Sequence, residues 1–166
     1  MDETIPGLFT RQAAALGRQP LFFVKRDGSY HPITWQQAAD DVVALSTFLL
    51  AQQVNAGDRV LILSENRPEW GIADLAIQSV GGWTVPLYPS LTETDLRIIC
   101  ADCQPVAAVV STSDHVRTLL QIGQAVPSLR MMIVMDPTQQ HLALVKSWTE
   151  ALEKGREMQA KLRNLF

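Results

Sequence analysis

The sequence GDRVLILSENRPEWGIADLAIQSVGGWTVPLYPSLT, residues 57–92, decides the fold because it predicts a strand, a helix and a second strand in direct succession. Residues 60–63 are a continuous apolar run of strand length. Pro68 fits the first turn of a helix, where its missing N–H leaves no bond unmade, and the Gly-Gly pair at 81–82 ends that helix sharply. Residues 84–87 form the second apolar strand.

The same alternation of strand and helix continues downstream. Further apolar strands are predicted at residues 106–110 and 131–135, and the intervening helices at 68–80, 93–100 and 115–125. Short, nearly continuous apolar strands separated by single helices are typical of a parallel sheet that is covered on both faces. We therefore predict an α/β fold with a mostly parallel sheet and helices on both of its faces.

Polar residues in front of these helices predict their caps. Asn66 or Arg67 precedes the helix that starts at Pro68, and Thr92 and Asp114 precede the next two helices. The Asn, Thr and Asp side chains among these can accept hydrogen bonds from backbone N–H groups that the first turn of a helix leaves without a partner.

The amino-terminal part predicts a helix followed by a β-hairpin. Residues 5–15 mix apolar and polar positions in the manner of a short helix that ends near Gly17. Residues 21–25 and 30–33 are rich in strand-forming residues, and the Asp-Gly pair at 27–28 between them is typical of a tight hairpin turn.

A second amphipathic helix follows the hairpin. Thr34 stands three residues before Gln37, which is the spacing of a capping box. The apolar residues that follow recur at intervals of four, three and four, so they share one helix face that packs on a core. They are Ala38, Val42, Leu45 and Leu49.

Composition places the chain among folded domains. With 166 residues and 47% hydrophobic content, we expect one core. The net charge of -3 gives no electrostatic reason to expect nucleic acid or an anionic membrane as a partner. The start, MDETIPGLF, lacks the basic and apolar regions of a secretory signal, and no apolar run reaches membrane-spanning length. We therefore expect a cytoplasmic location.

Two cysteines, Cys100 and Cys103, form a CxxC pair, a spacing found in redox centres and zinc sites. They fall near the end of a predicted helix, where the helix dipole opposes thiolate formation. No second CxxC or histidine-rich segment supplies further zinc ligands. We interpret both as structural, buried or half-buried thiols.

The sequence contains neither a phosphate loop nor a dinucleotide fingerprint. A phosphate loop needs glycines that let successive N–H groups converge on the phosphate, and a lysine nearby. The Gly-Gly pair at 81–82 leads directly into a strand, and the Ser-Thr-Ser run at 111–113 has neither glycine nor a following lysine. We interpret residues 111–113 as a strand-end turn and helix cap.

Histidines and paired aspartates give no metal site. His31, His115 and His141 lack the spacing of metal ligands, and no serine or cysteine lies in a nucleophile elbow, so surface or capping roles are expected. Asp40 and Asp41 are neighbours that point in different directions on a helix, which favours solvated charges over a Mg²⁺ site.

Four aromatic residues are interpreted first as packing residues: Trp35, Trp70, Trp83 and Tyr88. Trp83 and Tyr88 flank the strand that ends at Pro89, and ligands of parallel sheets bind near the carboxyl ends of strands. A role for these two in lining an acyl or nucleotide cavity stays open. The sequence thus predicts no catalytic, cofactor-binding or metal-binding residue within the chain.

The wording of residues 57–92 also carries a family resemblance. The Gly-Asp-Arg-Val lead at 57–60, the Asn-Arg-Pro-Glu-Trp helix start at 66–70 and the Leu-Tyr-Pro-Ser-Leu-Thr run at 87–92 resemble the amino-terminal region of the AMP-forming acyl-CoA synthetases. Within the adenylate-forming superfamily, they look most like the long-chain fatty acid group. The resemblance extends over about residues 22–136.

That resemblance implies a parent polypeptide that is an ATP-dependent acyl-CoA ligase. Such an enzyme uses ATP and Mg²⁺ to convert a fatty acid to an acyl-adenylate with release of pyrophosphate, and the CoA thiol then displaces AMP. The family's Ser/Thr/Gly-rich phosphate loop, its hinge and its carboxy-terminal catalytic lysine are absent from these 166 residues. We therefore expect an amino-terminal fragment that is inactive alone and binds no cofactor.

The chain is predicted to divide near residue 137. Residues 1–137 form the α/β subdomain, and residues 138–166 form a polar connector and a terminal helix with Ser147 as cap and Glu150 three residues on. Gly155 interrupts the apolar face of this helix. We expect poor anchoring of the helix because part of its sheet is missing, and self-association through exposed apolar surface.

A different class of function stays open, namely a stand-alone non-catalytic α/β module that binds a protein partner. The two hypotheses differ in the coding sequence. A reading frame that continues into a Ser/Thr/Gly-rich loop favours the enzyme, and a natural stop after residue 166 favours the module.

Overall fold

The computed structural model describes residues 4–123, 126–138 and 142–163. From α2 to β6, helices and strands alternate. The helices are α1 (Ile5–Leu16), α2 (Trp35–Ala51), α3 (Pro68–Ser79), α4 (Glu93–Cys103), α5 (Ser113–Gln121) and α6 (Trp148–Arg163). The strands are β1 (Pro20–Arg26), β2 (Ser29–Thr34), β3 (Arg59–Leu63), β4 (Trp83–Leu87), β5 (Ala107–Val110), β6 (Met131–Val134) and β7 (Val145–Ser147).

Five strands form one parallel sheet in the order β4-β3-β5-β6-β7. In the central register, Val60 lies opposite Thr84 on one side and opposite Ala107 on the other. After β4 the chain crosses back over β3 to form β5, so the direction in which strands are added reverses there. The predicted α/β fold is confirmed.

The hairpin of β1 and β2 is a separate antiparallel pair. Its turn residues Asp27 and Gly28 both have positive φ, 48° and 80°. Tight hairpin turns of one type require this conformation at both central positions, and the Asp-Gly pair accommodates it. The predicted hairpin is therefore present for the predicted reason.

The helix starts confirm two predicted caps and correct a third. The Thr34 and Thr92 side chains each accept a bond from the third helical residue, and each helix completes a capping box. The Asp114 prediction is wrong, because Asp114 lies inside the first turn of α5 and Thr112 is its cap. For α3, Arg67 occupies the cap position without a side-chain cap bond.

The sheet separates two apolar clusters, which we call the α2 face and the α4 face. Helices α2, α3 and α6 cover the α2 face, and α4 and α5 cover the α4 face. Alternation along each strand sends successive side chains to opposite faces. The α2 face receives the strand residues Val60, Ile62, Ala107, Val109, Met131 and Ile133. The α4 face receives Leu61, Leu63, Ala108, Val110, Met132 and Val134.

The terminal segment contains a strand that the sequence analysis missed. The three-residue strand β7 pairs in parallel with β6 and extends the sheet. Immediately after it, the Ser147 hydroxyl accepts the backbone N–H of Glu150 at 3.1 Å, which confirms the predicted cap. A strand this short is difficult to distinguish from a loop by pattern alone.

Helix α6 lies against α2. Trp148, Ala151 and Leu152 are buried in the core of the α2 face. At Gly155 the two backbones approach so closely that an added β-carbon would overlap the Ala44 carbonyl group. The division at residue 137 and the weak anchoring of α6 stay predictions. Most of the support that the described residues give this helix comes from α2, and β6 and β7 add further contacts.

Within the described residues, no helix combines the length and the apolar character that a membrane crossing requires.

Candidate binding cleft at the carboxyl edge of the sheet

The carboxyl ends of the parallel strands lie along one edge of the sheet. There β3 is followed by Ser64 and Glu65, β4 by Tyr88, and β5 by Ser111. The reversal between β3 and β5 is a topological switch point, at which the loops diverge to opposite sides. Ligands of open α/β sheets bind in the crevice that results.

A cleft of about 360 Å³ opens at this edge between the ends of β3 and β4, next to the switch point of β3 and β5. Its walls are mostly apolar and aromatic, and a polar rim follows the end of β3. The wall residues are Trp70, Pro86, Leu87, Tyr88 and Pro89. The rim residues are Ser64, Glu65 and Asn66.

The two aromatic residues left open by the sequence have different positions. Tyr88 forms part of the cleft wall and is 78% exposed. Trp83 begins β4 at the opposite end of the strand, where it is 67% exposed. Trp70, interpreted as a packing residue, both contacts the core and lines the cleft. The cleft therefore contains Tyr88 and Trp70 but not Trp83.

At the switch point, three polar side chains form a chain of hydrogen bonds. The buried Ser111 hydroxyl lies 3.1 Å from His115 Nδ1 and also bonds the Glu65 side chain. A carboxylate only accepts and a serine hydroxyl has one proton. If Ser111 donates to Glu65, His115 Nδ1–H must be the donor to Ser111. The Glu65 carboxylate thus lies beside a hydroxyl that can donate to it.

Glu65 is the negatively charged member of this group of three side chains. Hydrogen bonds from its own backbone N–H and from Ser111 hold its pKa below its usual range, and nearby His115 and Arg67 add to the effect. Glu65 therefore stays ionised at neutral pH. Glu65 was not predicted as a site residue, and Ser111 was predicted only as part of a strand-end turn. Their common signal, a polar residue directly after an apolar strand, was visible in the sequence.

Arg67 ties two loops of the same edge together. Its guanidinium meets Glu69 through two bonds, Nε to Oε2 at 3.0 Å and Nη2 to Oε1 at 3.2 Å, and reaches Asp136 Oδ1 at 2.7 Å. Asp136 follows β6, so this network joins the β3–α3 loop to the end of β6. The bonds to Glu69, followed by those to Asp136, raise the pKa of Arg67 despite partial burial.

The cysteines fit the structural interpretation. Both are free thiols; Cys100 is buried and Cys103 half-buried. Burial raises the pKa of Cys100 to about 11, and burial also raises the pKa of Cys103. Neither thiol is activated in the way that redox chemistry at neutral pH requires.

The paired aspartates need one correction. Asp40 is exposed as expected, but Asp41 is half-buried and forms an ion pair with Arg156 of α6. Burial outweighs this ion pair and raises the pKa of Asp41. Asp41 and Arg156 line a second cavity of about 420 Å³ beside the hairpin, together with Arg26 and His31. Two of the charged groups that line this cavity, Asp41 and Arg156, are thus paired with each other.

Across the part of the chain that the structure describes, no three ligating side chains come together as a metal site would require. His31 lies in the hairpin, and the backbone N–H of His115 bonds the cap residue Thr112. His141 lies outside the described residues. The side chains that the carboxyl edge presents are the aromatic wall of the cleft, the Glu65 carboxylate and hydrogen-bonding groups.

Comparison with known families and sequences gives a consistent result. A family model described as AMP-binding enzyme matches residues 9–162. Long-chain-fatty-acid–CoA ligase FadD15 of Mycobacterium bovis is 35% identical over 107 residues, which cover 64% of this chain and 18% of the relative. The peroxisomal long chain acyl-CoA synthetase 7 of Arabidopsis thaliana is 30% identical over 139 residues, covering 78% and 19%.

Solved structures share the fold. The A-PCP didomain of carboxylic acid reductase from Segniliparus rugosus, in complex with AMP, superposes with a TM-score of 0.81 at 17% identity, over 94% of this chain and 27% of the other. Acetoacetyl-CoA synthetase from Streptomyces lividans gives 0.78 at 22% identity, over 87% and 24%. The chain thus spans less than a third of the length of each of these four proteins.

Proposed function

Because the chain belongs to the AMP-binding enzyme family, we propose that it is the amino-terminal part of an ATP-dependent acyl-CoA ligase that acts on long-chain fatty acids. The family match over residues 9–162 is the observation that carries this proposal. The long-chain substrate rests on two relatives whose names specify it, at 35% and 30% identity.

Under this proposal, the whole enzyme carries out two displacements. A carboxylate oxygen of the fatty acid attacks the α-phosphorus of ATP, and the bond to the departing pyrophosphate breaks. The CoA sulfur then attacks the acyl carbon, AMP leaves, and the thiol proton is released. ATP and CoA are substrates, and Mg²⁺ would offset the charge of the phosphates.

The 166 residues contribute a scaffold to this reaction. The parallel sheet presents its switch point, and the network of Arg67 with Glu69 and Asp136 holds two of the edge loops in place. The sequence has no glycine-rich loop followed by lysine that would bind the phosphates of ATP. We therefore propose that the chain alone forms no acyl-adenylate.

The activity of the chain alone is tested by pyrophosphate release. Purified protein, supplied with ATP, Mg²⁺ and palmitate, should release no more pyrophosphate than a heat-killed sample. A complete long-chain ligase in the same assay serves as the positive control. Palmitate-dependent release above the heat-killed control contradicts the proposed inactivity.

The identity of the whole enzyme is tested by the coding sequence. If the reading frame continues past residue 166 into a phosphate loop, the longer polypeptide should convert palmitate, ATP and CoA to palmitoyl-CoA and AMP. A stop codon at that point contradicts the proposal of a ligase.

One observation favours the alternative, a stand-alone module that binds a protein partner, and also bears on the predicted self-association. Trp83 on the edge strand β4 and Ile98 on α4 are both more than 60% exposed. Exposed apolar groups of this size are typical of contact surfaces. Light scattering at high concentration tests self-association, for which a monomer at every concentration is the contrary result.

A further inference from the structure

The cleft at the carboxyl edge combines aromatic walls with a carboxylate. Tyr88 and Trp70 lie in its walls, and Glu65 lies at its rim. Aromatic faces carry a negative electrostatic potential, which attracts cations placed over the ring. The strong exposure of Tyr88 leaves its ring accessible to a ligand.

The Glu65 carboxylate is prepared for such a ligand. Interactions with its own backbone N–H and with Ser111 favour its ionised form. Ser111 is fully buried whereas Glu65 is exposed at the cleft rim, so the carboxylate is accessible to a ligand.

The neighbouring charges leave negative charge in excess. The basic neighbours of Glu65 are His115 and Arg67, and two carboxylates already surround Arg67, those of Glu69 and Asp136. Counting Glu65, three carboxylates stand against one guanidinium. A phosphate or carboxylate ligand would therefore meet net repulsion at this rim.

The start of helix α3, in contrast, would favour an anion at the cleft. Helix α3 begins at Pro68 beside the cleft, and the amino end of a helix attracts anions. Glu69 already lies in that first turn, however, where its carboxylate complements the helix dipole. The remaining attraction for an anion is correspondingly reduced.

We propose that this cleft binds a guanidinium group, stacked on Tyr88 or Trp70 and hydrogen-bonded to Glu65. A guanidinium is planar, donates two parallel bonds to a carboxylate and is more weakly hydrated than an ammonium ion. The cleft volume of about 360 Å³ accommodates the group with its alkyl stem. This inference goes beyond the proposed ligase function and does not depend on it.

The same chemistry has two sources, an arginine side chain on a polypeptide or a small guanidinium compound. NMR titrations of the ¹⁵N-labelled 166-residue protein with methylguanidinium and with the peptide acetyl-Gly-Arg-Gly-amide distinguish them. Both probes should shift the amides of Glu65 and Asn66 and the indole of Trp70. The Trp83 indole, at the other end of β4, should stay unchanged. Tighter binding of the peptide identifies a polypeptide source, and binding of methylguanidinium alone identifies a small molecule.

Two further probes test the chemical class. Methylammonium should bind at least about threefold more weakly than methylguanidinium, because it is more strongly hydrated and cannot stack. Inorganic phosphate should cause no shift at Glu65 or Asn66. Saturable phosphate binding at these residues, or no shift with either guanidinium probe, overturns the proposal.

Variants test the two contacts. Glu65→Gln and Tyr88→Ala should each weaken binding of methylguanidinium roughly fivefold or more, through loss of the charge or of the ring. Both residues are exposed, so the variants should keep the spectrum of a folded protein. Glu93→Gln and Trp83→Ala are the matched controls and should bind normally. Unchanged affinity in Glu65→Gln contradicts the proposed carboxylate contact.

Discussion

The α2 face and the α4 face of the sheet differ in the length of the helices that cover them and in the number of side chains that those helices bury. Helices of 17, 12 and 16 residues cover the α2 face, and helices of 11 and 9 residues cover the α4 face. Helix α2 buries six side chains, whereas α4 and α5 bury two each. The same strands therefore support one deep layer and one thin layer.

This difference teaches where the chain can open. Regions with few buried apolar contacts open at a lower free energy than the rest of a domain. The cleft spans both kinds of support, because Trp70 packs on the α2 face and Tyr88 leads from β4 toward α4. We expect the Tyr88 side of the cleft to adjust to a ligand while the Trp70 side stays fixed.

The largest test compares a cavity on each face. Phe48 of α2 and Leu119 of α5 are both fully buried. We expect Phe48→Ala to lower the free energy of unfolding by about 4 kcal/mol and Leu119→Ala by about 2.5 kcal/mol, because phenylalanine removes more buried side chain and the thinner layer can also collapse into its cavity. Urea unfolding measures both. A larger loss for Leu119→Ala would reverse the comparison.

A second test concerns the contact of α6 with α2. Gly155→Ala should lower the free energy of unfolding by about 3 kcal/mol, because the new methyl group overlaps the Ala44 backbone and forces the helices apart. Gly71→Ala in α3 is the matched control, since its methyl group would lie 3.6 Å from Phe22. There we expect a gain of about 0.5 to 1 kcal/mol from helix propensity.

The sign of the Gly155 result also tests the predicted weak anchoring of α6. A poorly anchored helix would gain stability from alanine as Gly71 does, because no clash would be felt. Hydrogen exchange along α6 gives an independent measure. Rapid exchange of the Ala151 and Leu152 amides in the unaltered chain would support weak anchoring. It would also show that α6 is less stable than its burial on the α2 face indicates.

The case of Gly155 shows a limit of prediction from sequence. In the sequence, this glycine only interrupts an apolar stripe. The pattern of apolar residues along one helix does not indicate how closely a neighbouring helix approaches it. Its partner Ala44 lies more than a hundred residues earlier, and close approach of two backbones leaves no trace in hydrophobic periodicity. The strands of the central sheet were predictable because their apolar runs are local.

A third test uses the cysteine of the α4 face as a probe of opening. Because burial raises the pKa of Cys100 to about 11, its thiolate fraction at pH 8 is very small. In a Cys103→Ser variant, we expect alkylation by iodoacetamide at pH 8 to be about a hundredfold slower than in the urea-unfolded chain. A difference below tenfold would show that the α4 face opens freely.

The same thiol predicts a pH dependence. The folded thiol holds its proton more tightly than the unfolded thiol, so ionisation of the unfolded chain favours unfolding as the pH rises. The contribution of Cys100 to stability should therefore decline from about pH 9 toward pH 11, the interval between the ordinary and the raised pKa. Cys100→Ala should remove that part of the decline. An identical decline in both proteins would mean that Cys100 is not its source.

The cleft was only partly predictable. Tyr88 could be placed near a ligand site because strand ends of a parallel sheet share one edge. The hydrogen bond between Glu65 and Ser111 could not be predicted, because it depends on β3 and β5 being neighbours. From the order of the strands along the chain, β4 would be expected as the neighbour of β3, and β5 as the neighbour of β4. Strand order is set by the crossover, which the sequence between the strands does not specify.

The smallest effect concerns Thr84, on the α2 face opposite Val60. Its buried hydroxyl has no hydrogen-bond partner among the described residues, and an unpaired buried hydroxyl destabilises a fold. We expect Thr84→Val to raise the free energy of unfolding by about 0.5 to 1 kcal/mol, measured as a higher urea midpoint. The control is Thr47→Val on α2, which removes a hydroxyl that donates to Val43 and accepts from Gln159. The free energy of unfolding of that variant should not rise. If Thr84→Val is destabilising instead, the hydroxyl has a partner such as a bound water, and the deep layer of the α2 face is less completely packed than its helices indicate.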